Sequence, residues 1–527
     1  MRRSGNKLGR PGRKGTDTFR HEADATAAPS QTLFSNPVTP MIRAIPARAT
    51  RLMRRAFAFG LGLLTLLPGV CTAQPLPQPV VSALAGAGIP ASAVALWSQP
   101  IGAQKPVMSI NASRPMNPAS TIKLMTTYAA LELLGPAYTW KTEVWANGEL
   151  KGDVLAGELS LRGGGDPRLT VEHLWRLVQA VRARGIREIR DGVVIDRSYF
   201  DVTESDPSRF DSEPLRPYNV GPDALLVNFK AFRFTFSPDL ERKVARVSVE
   251  PRSTLLEYSA NVALNSDPCN DWRGRLQTTF LPGTDKRGTR AVFGGSFPAA
   301  CAERTMNVAL MSHSDYVQGV FTSLWEGSGG VISGGWRDGP SPAGSRLIYT
   351  HESPALSEIV RDINKFSNNV MARQLFLTIS AEIDRVPGRS DLSTADVKKW
   401  LDGKSLVMPE LVLDNGSGLS RRESISAENL GRLLLSAFSS PVMPEFISSL
   451  PLLAVDGTMR RRLKTDSVAG QAHIKTGSLS DVRSIAGYVL DRHGRRHAIV
   501  MLVNHPNAAA AQTAQDAFIR WIYESRG

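Results

Sequence analysis

The middle of the chain, residues 151–345, has a different pattern from the segments on either side of it. Short runs of β-branched and aromatic residues recur there at 193–195, 229–236 and 244–249, separated by many glycines and prolines. Runs of this kind, bounded by turn residues, predict short strands. The sequence therefore predicts one or two β-rich domains inserted into a larger domain, which both ends of the chain must form together.

The two flanking segments combine strands with longer helices. Residues 91–97 and 106–110 are predicted as strands, and a helix is predicted from Pro118 to Leu134, where Gly135-Pro136 ends it. At the far end, residues 484–490 and 497–503 are predicted as strands around a turn. A last amphipathic helix is predicted over 508–525.

Most of the positive charge lies at the start of the chain. The formal net charge is +14, but residues 1–73 alone carry twelve Lys and Arg against three Asp and Glu, and the remaining 454 residues carry 51 against 46. A protein that binds nucleic acid through its folded body is therefore not expected. The chain is also too apolar, at 42%, and too poor in cysteine, with 3, to be disordered or a disulfide framework.

The basic start has the layout of an export signal. Arg51-Leu-Met-Arg-Arg55 precedes the apolar run 56–67, and small residues follow at Cys71-Thr-Ala73. Twelve apolar residues are too few to span a bilayer as a helix, so this is predicted to be a secretory signal peptide cleaved after Ala73. The expected location is the periplasm, with at most peripheral membrane association. A lipoprotein with Cys71 as the lipidated residue is the alternative, and Met41 or Met53 is a candidate start.

Two cysteines remain in the predicted mature chain, Cys269 and Cys301. In an oxidising compartment an isolated pair is most simply interpreted as one disulfide. Two free thiols are the alternative.

Ser120-Thr-Ile-Lys123 places a serine and a lysine three residues apart at the start of the predicted helix. Residues i and i+3 lie on the same helix face, so the Lys123 amine can reach the Ser120 hydroxyl. A lysine with a lowered pKa can act as the base that activates a serine nucleophile. The alternative is a helix-capping serine beside a solvated lysine.

Two further motifs follow in order. Ser367-Asn-Asn369 lies between a predicted helix end and an apolar run, where a hydroxyl and an amide can face a substrate. Lys475-Thr-Gly477 lies on a predicted extended segment, which suits β-addition of a peptide and binding of its terminal carboxylate. Each motif is weak alone, but the three together in this order form a strong signal.

The three motifs resemble those of the penicillin-recognising serine acyltransferases, S-x-x-K, S-x-N and K-T-G. The gap of 247 residues between Ser120 and Ser367 resembles the class C low-molecular-mass penicillin-binding proteins of peptidase family S13, the D-alanyl-D-alanine carboxypeptidase/endopeptidases. Other segments that resemble this branch begin at Gly163, Asp196, Tyr218, Asp414 and Val455.

The resemblance implies a role for each motif residue. Ser120 is the implied nucleophile, Lys123 its general base and Ser367 the proton relay toward the leaving amine. Asn369, Lys475, Thr476, Gly477 and Ser478 are the implied substrate-binding residues, with the backbone N–H groups of Ser120 and Ser478 as the oxyanion hole. The implied substrates are peptidoglycan stem peptides ending in D-Ala-D-Ala and D-Ala-diamino acid cross-links, with β-lactam antibiotics as covalent inhibitors. The implied reaction requires no metal and no organic cofactor.

The resemblance also implies the fold and its domains. The expected class is α/β, an α+β sandwich with a penicillin-binding/β-lactamase-like transpeptidase domain and an inserted pair of smaller β-rich domains. The expected boundaries are an extension and signal over 1–73, a peptidase domain over 74–150 and 346–527, a second domain over 151–236 and 306–345, and a nested third domain over 237–305.

Other functions of the same fold are less consistent with the residues. A class A β-lactamase needs a glutamate in E-x-x-L-N, and the run Glu410-Leu-Val-Leu-Asp414 ends in Asp. A class C β-lactamase carries Tyr at the position of Ser367. A catalytically silent wall-binding scaffold has no need of Ser120, Lys123 and Lys475 together. An esterase of the same fold is a further alternative, whereas the glycines at 163–165 lack the Gly-Lys-Ser/Thr of a phosphate-binding loop.

Overall fold

The computed structural model describes residues 75–201, 206–284 and 288–525. The α-helices within these residues are α1 (Gln78–Gly86), α2 (Lys123–Leu133), α3 (Val171–Arg182), α4 (Trp272–Arg275), α5 (His313–Gly327), α6 (Leu356–Phe366), α7 (Asn369–Asp384), α8 (Ser390–Gly403), α9 (Ala427–Phe438), α10 (Met443–Ser449) and α11 (Gln512–Glu524). The β-strands are β1 (Val94–Pro100), β2 (Met108–Ile110), β3 (Pro115–Met116), β4 (Lys141–Lys151), β5 (Val154–Arg162), β6 (Glu188–Ile189), β7 (Gly192–Asp196), β8 (Phe232–Asp239), β9 (Val244–Glu250), β10 (Leu256–Tyr258), β11 (Asn261–Asn265), β12 (Leu276–Pro282), β13 (Thr289–Pro298), β14 (Arg304–Val308), β15 (Val331–Ile332), β16 (Gly335–Asp338), β17 (Arg346–Glu352), β18 (Ile425–Ser426), β19 (Ala472–Ser478), β20 (Val482–Leu490) and β21 (Arg496–Asn504). The predicted signal segment, with Cys71 and the cleavage site after Ala73, lies outside the described residues.

The first sheet joins the two ends of the described chain. Its five strands lie in the order β19-β20-β21-β1-β2, and every neighbouring pair is antiparallel. Strand β1 pairs with β21, with Val94 opposite Val503. Almost every residue of β1, β20 and β21 is buried, as expected for strands covered by helices on both faces.

Alternate side chains of this sheet enter two separate hydrophobic cores, because successive side chains of a strand point to opposite faces. Val94 and Leu96 belong to the core formed with α1 and α11. Ala95 and Trp97 belong to a larger core formed with helices α2, α6, α7 and α9. The result is a helix-sheet-helix sandwich in which α2, directly after Ser120, lies on the second face.

The second sheet contains seven strands, in the order β15-β6-β5-β4-β17, with β7 paired to β5 and β16 paired to β7. Helix α3 packs beside β17 and buries Leu174, Leu177, Val178 and Val181, which lie on one helix face. Because β4 pairs with both β5 and β17, this sheet extends beyond the predicted range 151–345 on both sides.

The third sheet also has seven strands, in the order β10-β13-β11-β9-β8-β14, with β12 paired to β13. Strands β8 and β14 pair with each other, so this sheet is wider than the predicted range 237–305 at both ends. A disulfide joins Cys269 and Cys301, whose Cα atoms are 4.8 Å apart. One hydrophobic cluster runs through the second and third sheets.

The predicted elements of the flanking segments are present with shifted bounds. Strands β1, β2, β20 and β21 and the last helix lie where the sequence predicts them. The helix predicted from Pro118 begins instead as a 3-10 turn, Ala119–Ile122, because Ala119 has a φ of 45°, which an α-helix does not accept. Helices α3 and α5 were not predicted in the β-rich middle. In the part of the chain that the structure describes, none of the helices has the length and apolar character needed to cross a bilayer.

Candidate active site

Ser120 lies in the 3-10 turn that leads into α2, and amide side chains hold the approach to this turn. The Asn117 side chain accepts a hydrogen bond from the Ala119 N–H at 2.9 Å. Asn504 on β21 accepts from the Asn117 N–H at 2.8 Å and donates to the Asn117 carbonyl at 3.0 Å. The half-buried Ser120 is therefore fixed to the central sheet through its own backbone segment.

Strand β19 lies directly against the backbone of Ser120. A Cβ atom at Gly477 would be 2.8 Å from the Ser120 nitrogen and 2.8 Å from the Pro118 carbonyl oxygen, so only glycine fits there. The Ser484 hydroxyl of β20 donates to the same Pro118 carbonyl at 2.6 Å. This packing places the third motif beside the Ser120 N–H.

Lys123 is completely buried, and three acceptors surround its amine. Nζ lies 3.0 Å from Ser120 Oγ, 2.7 Å from Asn369 Oδ1, and within hydrogen-bond distance of the Ser417 carbonyl. Burial lowers the pKa of Lys123 well below its ordinary value, and the nearby Lys475 and Arg373 lower it further, against the carboxylate of Glu423. The neutral amine is thus favoured.

The identity of these partners decides where the amine lone pair points. The side-chain oxygen of Asn369 and the Ser417 carbonyl can only accept hydrogen bonds, so each takes one N–H of the neutral amine. Of the three partners, the Ser120 hydroxyl alone can donate a proton to the lone pair. The arrangement is that of a base and its nucleophile.

The second motif forms the corner between α6 and α7. Ser367 ends α6 in the left-handed region with a φ of 56°, and Asn368 caps α7 by accepting from the Met371 N–H at 3.1 Å. Asn369 is the first residue of α7, and its side chain reaches Lys123. The tight corner turns Ser367 and Asn369 toward two different lysines.

Lys475 is the second buried lysine of the site. Its Nζ donates to Ser367 Oγ at 2.8 Å and to the Thr476 carbonyl at 2.7 Å. Burial lowers the pKa of Lys475 to about 7. Thr476 is half-buried and hydrogen-bonds Thr458 at 2.8 Å, whereas Ser478 is exposed at the end of β19. The structure thus brings all three motifs together.

Sequence reasoning missed Glu423, a fully buried carboxylate near Lys123. Its Oε1 accepts from the backbone N–H groups of Asn415 at 3.2 Å and Gly416 at 3.1 Å. These bonds shape the loop that presents the Ser417 carbonyl to Lys123. Burial raises the pKa of Glu423. The glycine-rich run from Asp414 was recognised as a recurring segment, but nothing in the sequence marked Glu423 as its support.

Glu410, the residue compared with a β-lactamase glutamate, serves a different purpose. Its carboxylate accepts from the Ser426 N–H at 3.1 Å and from the Asn429 side chain at 2.8 Å. These groups are at the N-terminus of α9, where a negative charge is favourable. Glu410 thus stabilises a helix start.

A cavity of about 600 Å³ adjoins the loop that contacts Lys123. Charged residues of both signs line it, among them Asp414, Arg421 and Arg422 from this loop and Arg373 from α7. Arg421 pairs with Asp481 at 2.6 Å. Space for a polar ligand is therefore available beside this loop.

Known proteins are similar in sequence to this chain over nearly all of its described residues. The sequence model of the D-Ala-D-Ala carboxypeptidase 3 (S13) family matches residues 77–525. The chain is 30% identical over 427 residues to the D-alanyl-D-alanine carboxypeptidase of Actinomadura sp. (strain R39), which covers 78% of this chain and 77% of that protein. It is 22% identical over 415 residues to the D-alanyl-D-alanine carboxypeptidase DacB of Haemophilus influenzae, covering 76% and 82%.

The crystal structure of penicillin binding protein 4 (dacB) from Haemophilus influenzae superposes with a TM-score of 0.69 at 21% identity, over 85% of this chain and 99% of that chain. The predicted α/β fold with its inserted β-rich domains is thereby confirmed, as is the predicted resemblance to the peptidase branch. The chain belongs to the D-Ala-D-Ala carboxypeptidase 3 (S13) family and is a serine peptidase.

Proposed function

We propose that the chain hydrolyses D-Ala-D-Ala termini of peptidoglycan stem peptides, and D-Ala-diamino acid cross-links, through an acyl-enzyme on Ser120. The observation that carries the proposal is the buried Lys123 amine, whose lone pair can take a proton only from Ser120. Membership of the family supports the carboxypeptidase activity. The endopeptidase activity and the roles of the individual residues are part of the proposal.

In the first half of the reaction, Ser120 Oγ attacks the carbonyl carbon of the penultimate D-alanine while Lys123 takes the hydroxyl proton. The oxyanion is held by the backbone N–H groups of Ser120 and Ser478, near the close contact of Gly477. The C–N bond then breaks as Ser367 donates its hydroxyl proton to the leaving amine and receives in turn the proton that Lys123 took from Ser120, so that Lys123 is neutral again. Ser367 can do so because its hydroxyl accepts from Lys475 at 2.8 Å and is free to donate in turn.

In the second half, water attacks the ester carbon while Lys123 takes one of its protons, and Lys123 returns that proton to Ser120 Oγ as the ester C–O bond breaks. This restores the free serine and releases the shortened peptide. Protein groups carry every proton of this route, so the proposed route includes no metal and no organic cofactor.

The remaining motif residues are proposed to bind the substrate. Asn369, held at the start of α7, has amide N–H groups that can bind the carbonyl of the stem peptide. Lys475 and Thr476 are proposed to bind the terminal carboxylate, which would stabilise the charged form of a lysine whose burial otherwise lowers its pKa. Gly477 and Ser478 continue the strand against which an extended peptide can add.

β-Lactams are proposed as covalent inhibitors of the same serine. A crystal structure of penicillin binding protein 4 (dacB) from Haemophilus influenzae, which has the same fold, is complexed with a novel β-lactam. The β-lactam carbonyl would acylate Ser120 as the peptide does. A slowly hydrolysed adduct distinguishes the peptidase from a β-lactamase or esterase of this fold, which turns the compound over rapidly.

We further propose export to the periplasm with cleavage after Ala73. We also propose the domain arrangement expected above, with wider boundaries for the inserted domains, because β4 pairs with β17 and β8 pairs with β14. N-terminal mass mapping of chain recovered from the periplasm tests the cleavage site. A start at any other residue would contradict the predicted site.

The deciding experiment is intact-mass analysis with benzylpenicillin followed by peptide mapping. We expect one adduct on Ser120 in the unchanged chain and none in Ser120→Ala, with both folding alike by circular dichroism. Ser448→Ala, an exposed serine on α10, is the matched control and should label fully. An adduct that persists in Ser120→Ala would refute the assignment, and a silent scaffold would show no adduct in any variant.

A further inference from the structure

Asp166, His173 and His351 form a cluster outside the serine site. One ligating atom from each residue lies within 4.8 Å of the others. Asp166 follows the glycines at 163–165, His173 is in the first turn of α3, and His351 is in β17. Because these three elements are far apart in sequence, no motif spacing predicted the cluster.

Two atoms of this cluster are buried without a hydrogen-bond partner. They are Asp166 Oδ2 and His351 Nε2, on residues that are 2% and 7% exposed. Buried polar atoms are nearly always paired, and each unpaired one costs about 1–3 kcal/mol. Two such atoms facing one small space indicate that a further group belongs there.

His173 is oriented as a metal ligand is. Its Nδ1 lies 3.0 Å from the Arg168 carbonyl oxygen, which can only accept, so Nδ1 carries the proton and Nε2 keeps a free lone pair. Metal-binding histidines commonly donate their second ring nitrogen to a backbone carbonyl in this way. Asp166 Oδ1 is similarly fixed by the Arg168 N–H at 2.7 Å, which leaves Oδ2 to bind.

The surrounding charges permit a cation. The Arg168 side chain is paired with Asp362 at 3.4 Å, and Arg176, the other nearby arginine, is exposed to solvent. Two imidazoles and one carboxylate form a donor set that binds zinc in preference to calcium or magnesium.

We propose that Asp166, His173 and His351 bind one zinc-class divalent ion, with water as the fourth ligand. Bond lengths of about 2.0–2.2 Å require the ligating atoms to be about 3.4 Å apart, so the separations shorten by at most about 1.4 Å on binding. The ion would link the 163–166 segment and strand β17 of the second sheet to helix α3, which packs beside β17.

The site has a structural connection to the serine centre. The Gly165 carbonyl accepts from the Gln374 side chain at 3.2 Å, and Gln374 also accepts from the Asp223 N–H at 2.8 Å. Gln374 lies on α7, whose first residue is Asn369. Because none of the three ligands belongs to the motifs of the serine site, we assign the ion a stabilising role, separate from the acylation of Ser120.

The test uses the full chain with its purification tag removed, equilibrated with Zn²⁺ and then dialysed. We expect about one zinc per chain by elemental mass spectrometry, a higher thermal unfolding midpoint, and a tetrahedral Co²⁺ absorption spectrum after exchange. His173→Gln and His351→Gln should each lower Zn²⁺ affinity about a hundredfold or more. His493→Gln, which removes an exposed histidine, is the control and should bind normally.

Folding of each variant is checked by benzylpenicillin labelling of Ser120. A chain stripped of zinc by a chelator should still be labelled, because the ion is separate from the acylation of Ser120. Failure of the unchanged chain to hold stoichiometric zinc would overturn the proposal, as would normal zinc content in both histidine variants. Loss of labelling in the unchanged chain would instead count against the proposed function, so the two failures are distinguishable.

Discussion

Acylation of Ser120 should depend on the charge of Lys475, and this sets its behaviour at alkaline pH. Burial lowers the pKa of Lys475 to about 7, and the proposed role of this lysine is to bind the substrate carboxylate as a cation. The protonated fraction falls tenfold for each pH unit above the pKa. The second-order rate constant for acylation by benzylpenicillin should therefore fall about tenfold per unit above about pH 7, because this constant reports groups of the free enzyme.

The assay is stopped-flow or quenched acylation at subsaturating benzylpenicillin between about pH 5 and pH 10, which spans about two units below and three units above neutrality. Lys475→Arg should react more slowly but lose the alkaline fall, since a guanidinium keeps its charge throughout this range. Lys399→Arg, an exposed lysine on α8, is the matched control and should retain it. The methyl ester of benzylpenicillin, which has no carboxylate, should acylate slowly and without the fall.

Two results would refute this reasoning. An unchanged alkaline fall in Lys475→Arg would show that another group titrates. A flat profile in the unchanged chain would show that the charge of Lys475 is not needed for acylation.

Three further changes probe other parts of the molecule. Glu423→Ala should lower the free energy of unfolding by about 1–3 kcal/mol and slow acylation, because the loop N–H groups lose their acceptor. Glu423→Gln keeps an oxygen there and should change neither the stability nor the acylation rate. Equal effects of both changes in urea unfolding and penicillin labelling would contradict this role. Gly477→Ala should reduce the acylation rate about a hundredfold by displacing β19 from Ser120. Gly403→Ala, where a Cβ meets no atom within 4 Å, is the control and should have no effect on that rate. A normal rate in Gly477→Ala would mean that the close contact is not required. Replacing Cys269 and Cys301 by serine should lower the free energy of unfolding by about 3–4 kcal/mol in denaturant titrations without changing the labelling of Ser120, and unchanged stability would show that the crosslink contributes little.

Local patterns predicted the parts of the fold that depend on local sequence. The nearly continuous apolar runs predicted the strands around 484–490 and 497–503, and Gly135 correctly ended α2. The geometry of Ser120 and Lys123 followed from helical spacing, although the turn is 3-10 at that point. Helix α3 had a clear amphipathic signal in Leu174, Leu177 and Val181, but the surrounding strand pattern concealed it.

Features that depend on distant partners were not predictable from a single sequence. Glu423 matters because a loop folds over it, and the bounds of the second sheet follow from the pairing of β4 with β17. The cluster arises only when a helix and a strand are packed together and bring His173 close to His351, 178 residues later in the sequence. In each case the deciding contact joins residues with no common local pattern.

The pairing of β1 with β21 also determines when this chain can become active. Val94 emerges from the ribosome 409 residues before its partner Val503, an interval of about 20–80 s at ordinary rates of synthesis. Until then β1 has only the short strand β2 as a neighbour, while all strands of the second and third sheets have already been synthesised. A hydrolase whose active-site sheet is completed last is inactive while its chain is incomplete. Any truncation before β21 should abolish the activity while leaving much of the protein folded.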